Sequence, residues 1–110
     1  MKGYMQVLTT VPSADEGAAL ALSITSERLA AGVQIVGPIR SVYWWQGSLC
    51  DTQEWQLVIK TRHALFADLE RHIRANHSYE TPEIIATEIL KGSDGYLSWI
   101  SAETQRTDAS

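Results

Sequence analysis

The hydrophobic rhythm of the chain changes several times. Met5-Gln-Val-Leu-Thr-Thr-Val11 is β-branched and strand-like, and Pro12 ends it. Gly17, Leu20, Ala21 and Ile24 then recur at i, i+3, i+4 and i+7, the stripe of a helix. Ser13 can cap that helix, and Asp15 and Glu16 suit the positive end of its dipole. The pattern predicts that it runs to about Ala31 and stops at Gly32. Val33 to Ile39 is extended, with Gly37-Pro38 marking a bulge or bend. Residues 40–62 read as a long two-stranded ribbon turning near Gln46-Gly47. On the return strand Trp55, Leu57 and Ile59 share one face, and Gln56, Val58 and Lys60 share the other. A second helix is predicted over about His63 to Asn76, with Leu65, Phe66, Leu69 and Ile73 on its apolar stripe. The loop His77 to Pro82 leads to a fourth strand, Glu83 to Leu90. Beyond Gly92-Ser-Asp-Gly95, Tyr96 to Ile100 reads as a short terminal helix. Residues 1–103 make one domain, and the polar residues 104–110 are expected to fray.

The order β-α-β-β-α-β plus a small helix predicts an α+β, ferredoxin-like split βαβ fold. Its sheet is antiparallel with both helices on one face, which leaves the second face, with Leu8, Val58 and Ile85, bare. The ribbon makes the same point independently. Trp44 and Trp45 are adjacent, so they face opposite ways, and one of them needs a cover that a small core cannot give. Association with another chain is the expectation, with Tyr43, Trp44, Trp45 and Trp55 at the interface.

Composition narrows the classes. The 110 residues fit one soluble domain, with 45% hydrophobic and 20% charged residues. A net charge of −4 argues against nucleic-acid binding, which wants a basic face. No apolar run is long enough to span a membrane, and no signal peptide is visible. The single cysteine, Cys50, allows no intrachain disulfide, so the expected place is the cytoplasm.

Several blocks then stand out together. They are Leu8-Thr-Thr-Val-Pro12, Glu27-Arg-Leu-Ala-Ala31, Ser41-Val-Tyr-Trp-Trp-Gln-Gly47, Ile59-Lys-Thr61, His77-Ser-Tyr-Glu-Thr-Pro-Glu83 and Tyr96-Leu-Ser-Trp-Ile100. In this order and spacing they resemble the CutA family of divalent-cation-tolerance proteins, over about residues 4 to 101. The resemblance implies a stable homotrimer of ferredoxin-like subunits, similar in architecture to the PII-type signalling proteins, without an established enzymatic activity. It also implies a role in tolerance of copper and other divalent ions. The chain departs from the family pattern at Ser78, where a proline is usual, and at Gly32, where a cysteine is usual. Members proposed to bind copper carry Cys at the position of Thr9 and a second His at that of Asn76, so only His77 remains of that ligand set.

Each candidate has a plainer alternative. His63, His72 and His77 show no i, i+4 chelating pair, so a site needs ligands from separate elements, or the three are merely surface or loop-capping histidines. His77 is the best single ligand for Cu(II) or another divalent cation, and no cofactor is obligatory. Lys60, Tyr79, Glu83 and His77 near a subunit boundary could hold a small anion or metabolite. Alternatively Lys60 and Glu83 form an ion pair between subunits, with Tyr79 packed over it. The tryptophans are read as packing, not as a ligand cage, and Cys50 as a tolerated small residue. No nucleophile elbow or glycine-rich phosphate loop is present, so catalysis is not expected. Two functions follow: divalent metal tolerance by weak binding to a homotrimer, or a PII-like trimeric signalling or scaffolding module binding a small molecule in the cleft between subunits; a small molecule or another protein is a further candidate partner.

Overall fold

The computed structural model describes residues 3–106. Four strands and three helices follow in the order β1 (Tyr4–Val11), α1 (Ala14–Ser26), β2 (Gly32–Trp45), β3 (Ser48–Arg62), α2 (Phe66–Asn76), β4 (Ile85–Glu88) and α3 (Asp94–Glu103), with a 3-10 turn, His63–Leu65, leading into α2. The sheet is antiparallel with the order β2-β3-β1-β4. This is the ferredoxin-like arrangement expected from the element order.

One face of the sheet is closed by α1 and α2. Val7, Val11, Leu57 and Ile59 from the strands meet Leu20, Ala21 and Ile24 of α1 and Leu69 and Ile73 of α2 in one core. Strand alternation puts these sheet residues on the helix side, as the sequence pattern requires. Met5 to Leu8 pair with both β3 and β4, so β1 lies inside the sheet.

The ends of the elements differ from the expectation. Helix α1 stops at Ser26, not at about Ala31. Arg28 takes the left-handed conformation, φ 59°, after it. The Arg28 amide donates to the Thr25 carbonyl and the Leu29 amide to the Ile24 carbonyl. These two bonds make a Schellman cap around an arginine, where a glycine was expected. Gly32 instead opens β2. Strand β4 is confined to Ile85–Glu88, shorter than Glu83 to Leu90, while α3 reaches from Asp94 to Glu103 behind the cap Ser93. Thr104, expected in a frayed tail, is fully buried. Its hydroxyl accepts from Arg62 Nε at 2.7 Å and its carbonyl from Arg62 Nη2 at 2.8 Å. Residues 107–110 of that tail lie outside the described range.

The second face is not wholly bare. Tyr4, Gly32 and Arg62 alternate onto it with Gln6, Lys60 and Val58. Helix α3 meets that end through the Tyr4–Ser101 hydroxyl pair, the Arg62–Thr104 bonds and Trp99, whose ring lies over Gly32. Farther along, Val36 and Ile85 stay exposed, and Leu8 and Val58 are half-covered.

β2 and β3 pair from Gly32 with Lys60 out to Trp45 with Ser48, with the register shifting between Val36 and Ile39, where the Gly37-Pro38 bend was expected. Trp55 occupies the gap. An added Cβ on Gly37 would stand 2.4 Å from Trp55 Cδ1, so the ring needs a residue without a side chain there. The ribbon closes with Gln46 and Gly47, both at positive φ, the two-residue turn that suits strand twist. Its outer half splits its aromatics as predicted. Tyr43 and Trp45 lie opposite Cys50 and Ser48, whereas Val42 and Trp44 lie opposite Asp51 and Leu49. Trp44 is 72% exposed and Leu49 63% exposed, so this ribbon face has no cover among the described residues of the subunit.

Candidate functional site

The base of the ribbon and the loop after α2 enclose a cavity of about 650 Å³. Thr10, Ser41, Tyr43, Trp45 and Glu54 line it from the sheet, and Ser78 to Thr81 and Glu83 from the loop. Alternation gives Glu54 the same side as Gln56 and Thr10, the second sheet face, at the end opposite α3.

His77, just outside the cavity, anchors the loop. Its Nε2–H donates to the Thr10 carbonyl at 2.8 Å, and its Nδ1 accepts the Tyr79 amide at 3.0 Å. A carbonyl can only accept and an amide N–H can only donate, so these partners fix a neutral ring protonated on Nε2. The imidazole is fully buried, with Nδ1 3.8 Å from Glu16 Oε2. That same Glu16 oxygen accepts the Ser78 amide at 3.0 Å. Thus α1, the end of β1 and the loop are tied at one point. Both nitrogens of the expected metal ligand are already used, and coordination would have to displace one of these bonds.

Tyr79 follows from that anchoring. Its ring lies 5.0 Å from the His77 ring, and its hydroxyl donates to Glu54 Oε2 at 2.8 Å. Burial, the hydrogen bond to Glu54 and the charges of Glu54 and Glu16 push the phenol well above its usual range, so it stays a neutral donor. Glu83 is also pushed up, by partial burial first and by the Glu54 charge second. Three carboxylates, Glu54, Glu80 and Glu83, thus border the cavity, and among the described residues no lysine, arginine or histidine lines it.

The structure brings Tyr79 and Glu83 together as predicted but keeps Lys60 away. Its ammonium donates to Gln34 Oε1 at 3.2 Å, farther along the second face. Its place in the predicted constellation belongs to Glu54, of opposite charge, which sequence reasoning missed. The available signal was its alternation: Glu54 falls in phase with Gln56 and Val58, beside a bulge. Of the other histidines, His72 Nε2 meets Ser23 Oγ at 2.5 Å between the two core helices, and His63 begins the 3-10 turn. Among the described residues, no three or more His, Cys, Asp and Glu side chains gather as a metal centre. Nor is any described helix long and apolar enough to cross a membrane.

Comparison with known proteins agrees with the fold. The CutA1 divalent ion tolerance protein family matches residues 5–103. The chloroplastic protein CutA 1 of rice (Oryza sativa subsp. japonica) is 46% identical over 92% of this chain, which spans only 57% of that relative's length. The divalent-cation tolerance protein CutA of Thermus thermophilus is 41% identical, with 89% of this chain and 95% of that protein covered. The crystal structure of CutA1 from Oryza sativa superposes with a TM-score of 0.91 at 46% identity, covering 94% of each chain. The structure of the periplasmic divalent cation tolerance protein CutA from Archaeoglobus fulgidus gives 0.90 at 34%, covering 93% of this chain and 99% of that one. Through the match over residues 5–103, and through relatives matched along nearly their whole length, this chain belongs to the CutA family of divalent ion tolerance proteins.

Proposed function

We propose that the protein serves divalent cation tolerance as a homotrimer that binds such ions weakly, copper(II) among them. Family membership over residues 5–103 carries this reading. The uncovered Trp44–Leu49 face of the ribbon and the exposed Val36 and Ile85 of the sheet supply the apolar area that subunits would hide. His77 is the imidazole candidate, with Glu16 Oε2 3.8 Å from its Nδ1 as the second donor. Displacing the Tyr79 amide from Nδ1 is the cost of ligation there, so the expected affinity is low. The role is binding rather than catalysis, and the reducing cytoplasm suits a chain with one free thiol. Calorimetric titration of copper(II) and zinc(II) into wild type and His77→Ala tests the ligand. Equal binding by the two removes His77 from the site. Light scattering at micromolar protomer tests the assembly, and a single 12.2 kDa particle would refute the trimer.

A second reading is favoured by the cavity itself. Its volume of about 650 Å³ suits a small organic molecule better than a bare ion. In this reading the protein is a trimeric, PII-like module whose ligand sits between ribbon and loop, close to the neighbouring subunit.

A further inference from the structure

We propose that Ser23 is a base-assisted nucleophile, a modification site that takes an acyl group from small activated acyl donors. The inference is independent of both the metal reading and the small-molecule reading.

The pairing of Ser23 with His72 carries it. Ser23 belongs to α1 and His72 to α2, and Oγ meets Nε2 at 2.5 Å. The other hydroxyls in the last turn of α1 stay on their own helix. Thr25 Oγ1 donates to the Ala21 carbonyl at 2.8 Å, and Ser26 Oγ to the Ser23 carbonyl at 3.1 Å. Such back-bonding is a common arrangement for helical hydroxyls. Ser23 makes no such bond among the described residues, so its proton is directed at His72. A ring that accepts at Nε2 carries its own proton on Nδ1. A serine O–H aimed at an imidazole nitrogen lets the base draw off the proton as the oxygen attacks. Both residues are half-buried, within reach of a small reagent yet held by two packed helices. They lie on the helix side of the sheet, away from the ribbon and the second face that subunits would cover.

The surroundings limit what the pair can do. Amides in the body of a helix are spent on its own carbonyls, so the backbone beside Ser23 cannot hold an oxyanion. Asp68, one turn before His72, pairs with Arg71 and so does not orient Nδ1. The donor must therefore bring a good leaving group, and the ester should persist once formed. In the step, Ser23 Oγ bonds to the acyl carbon while the bond from that carbon to the leaving oxygen breaks. The serine proton passes to His72 Nε2 and then to the leaving oxygen, which departs as the free phenol or alcohol.

The probe is p-nitrophenyl acetate, followed by nitrophenol release, intact mass and peptide mapping. The expected result is one acetyl group on Ser23, formed in a burst with little turnover after it. Ser26 and Thr25 are internal references and should be labelled at least about tenfold more slowly. His72→Gln keeps a hydrogen-bonding partner but no base, and should slow the labelling of Ser23 at least about tenfold with unchanged circular dichroism. Ser23→Ala suits a helix and should remove the label. Equal labelling of Ser23 and Ser26 overturns the proposal, as does a His72→Gln that labels Ser23 at the wild-type rate. Acetylation confined to lysines and the N-terminus overturns it too, and would leave the pair as a tie between helices.

Discussion

Two threonines of the core should respond in opposite ways to the same substitution. Thr9 and Thr61 are both fully buried on the helix side of the sheet. Thr61 Oγ1 donates to the Leu29 carbonyl at 2.7 Å, which ties β3 to the segment after α1. Thr9 Oγ1 has no hydrogen-bond partner among the described residues. Thr9 faces the same side as Val7 and Val11 and pairs with Leu57, all fully buried and apolar. A buried hydroxyl without a partner costs roughly 1–3 kcal/mol. Valine has nearly the same shape and the same preference for strands, so Thr9→Val removes that cost and adds a buried methyl. The expected gain is about 1–2 kcal/mol, or a rise of roughly 4–8 °C in Tm per kcal/mol for a domain of this size. Thr61→Val does the reverse: it strands the buried Leu29 carbonyl and should cost about 1–3 kcal/mol. Urea unfolding at one fixed protomer concentration measures both, because assembly makes apparent stability concentration-dependent. If both variants move the midpoint in the same direction, hydrogen-bond satisfaction is not what separates the two sites, and the reasoning fails.

Three further outcomes follow from the same geometry. Gly37→Ala drives a methyl group into the Trp55 ring and should cost about 1–3 kcal/mol, with a red-shifted or otherwise altered tryptophan emission; a neutral result would mean that the ring moves freely. Arg28→Gly relieves a left-handed arginine and should stabilise by about 1 kcal/mol in thermal unfolding, the exposed Arg28–Glu103 pair adding little to offset it; a loss would show that the pair outweighs the backbone. The carboxyl of Glu83 has a folded-state pKa above its unfolded value, so the native state holds the proton more tightly and this group's contribution is lost as pH rises through the raised pKa. Relative to wild type, Glu83→Gln should therefore gain stability between about pH 4 and pH 7; an unchanged difference across that range would refute the assignment.

The sequence was most legible where spacing alone decides the outcome. Leu20, Ala21 and Ile24 had to share a helix face, Leu57 and Ile59 a strand face, and Gln46-Gly47 had to turn, and the core and ribbon follow directly. The end of α1 was harder, because the strongest local signal, Gly32, lay six positions beyond the last helical residue, Ser26. The segment leaves the helix early because Leu29 and Ala30 are buried, and burial compensates for putting Arg28 in a conformation that arginine resists. Thr104 was hidden for a similar reason: its value comes from Arg62, 42 residues away, and a polar composition at the chain's end does not reveal that contact.

The candidate site divides along the same line. His77, Tyr79 and Glu83 lie in one short segment and were found together, but the role given to His77 depended on which atoms face its two nitrogens. Those atoms come from Thr10, at the end of β1, and from the Tyr79 backbone. Lys60 was placed with them because it sits on the adjoining strand, yet that strand is long enough to reach both ends of the second face. Lys60 falls opposite Gly32 and Gln6 and bonds to Gln34, whereas Glu54, six residues earlier on the same strand and the same face, reaches the cavity. Six residues of strand span about 20 Å. On an extended ribbon, alternation tells which side a residue faces, but only the register with β1 and β2 tells which end. At this site that difference exchanges a lysine for a glutamate, so that within the subunit Glu54 stands beside Tyr79 and Glu83 where Lys60 was expected.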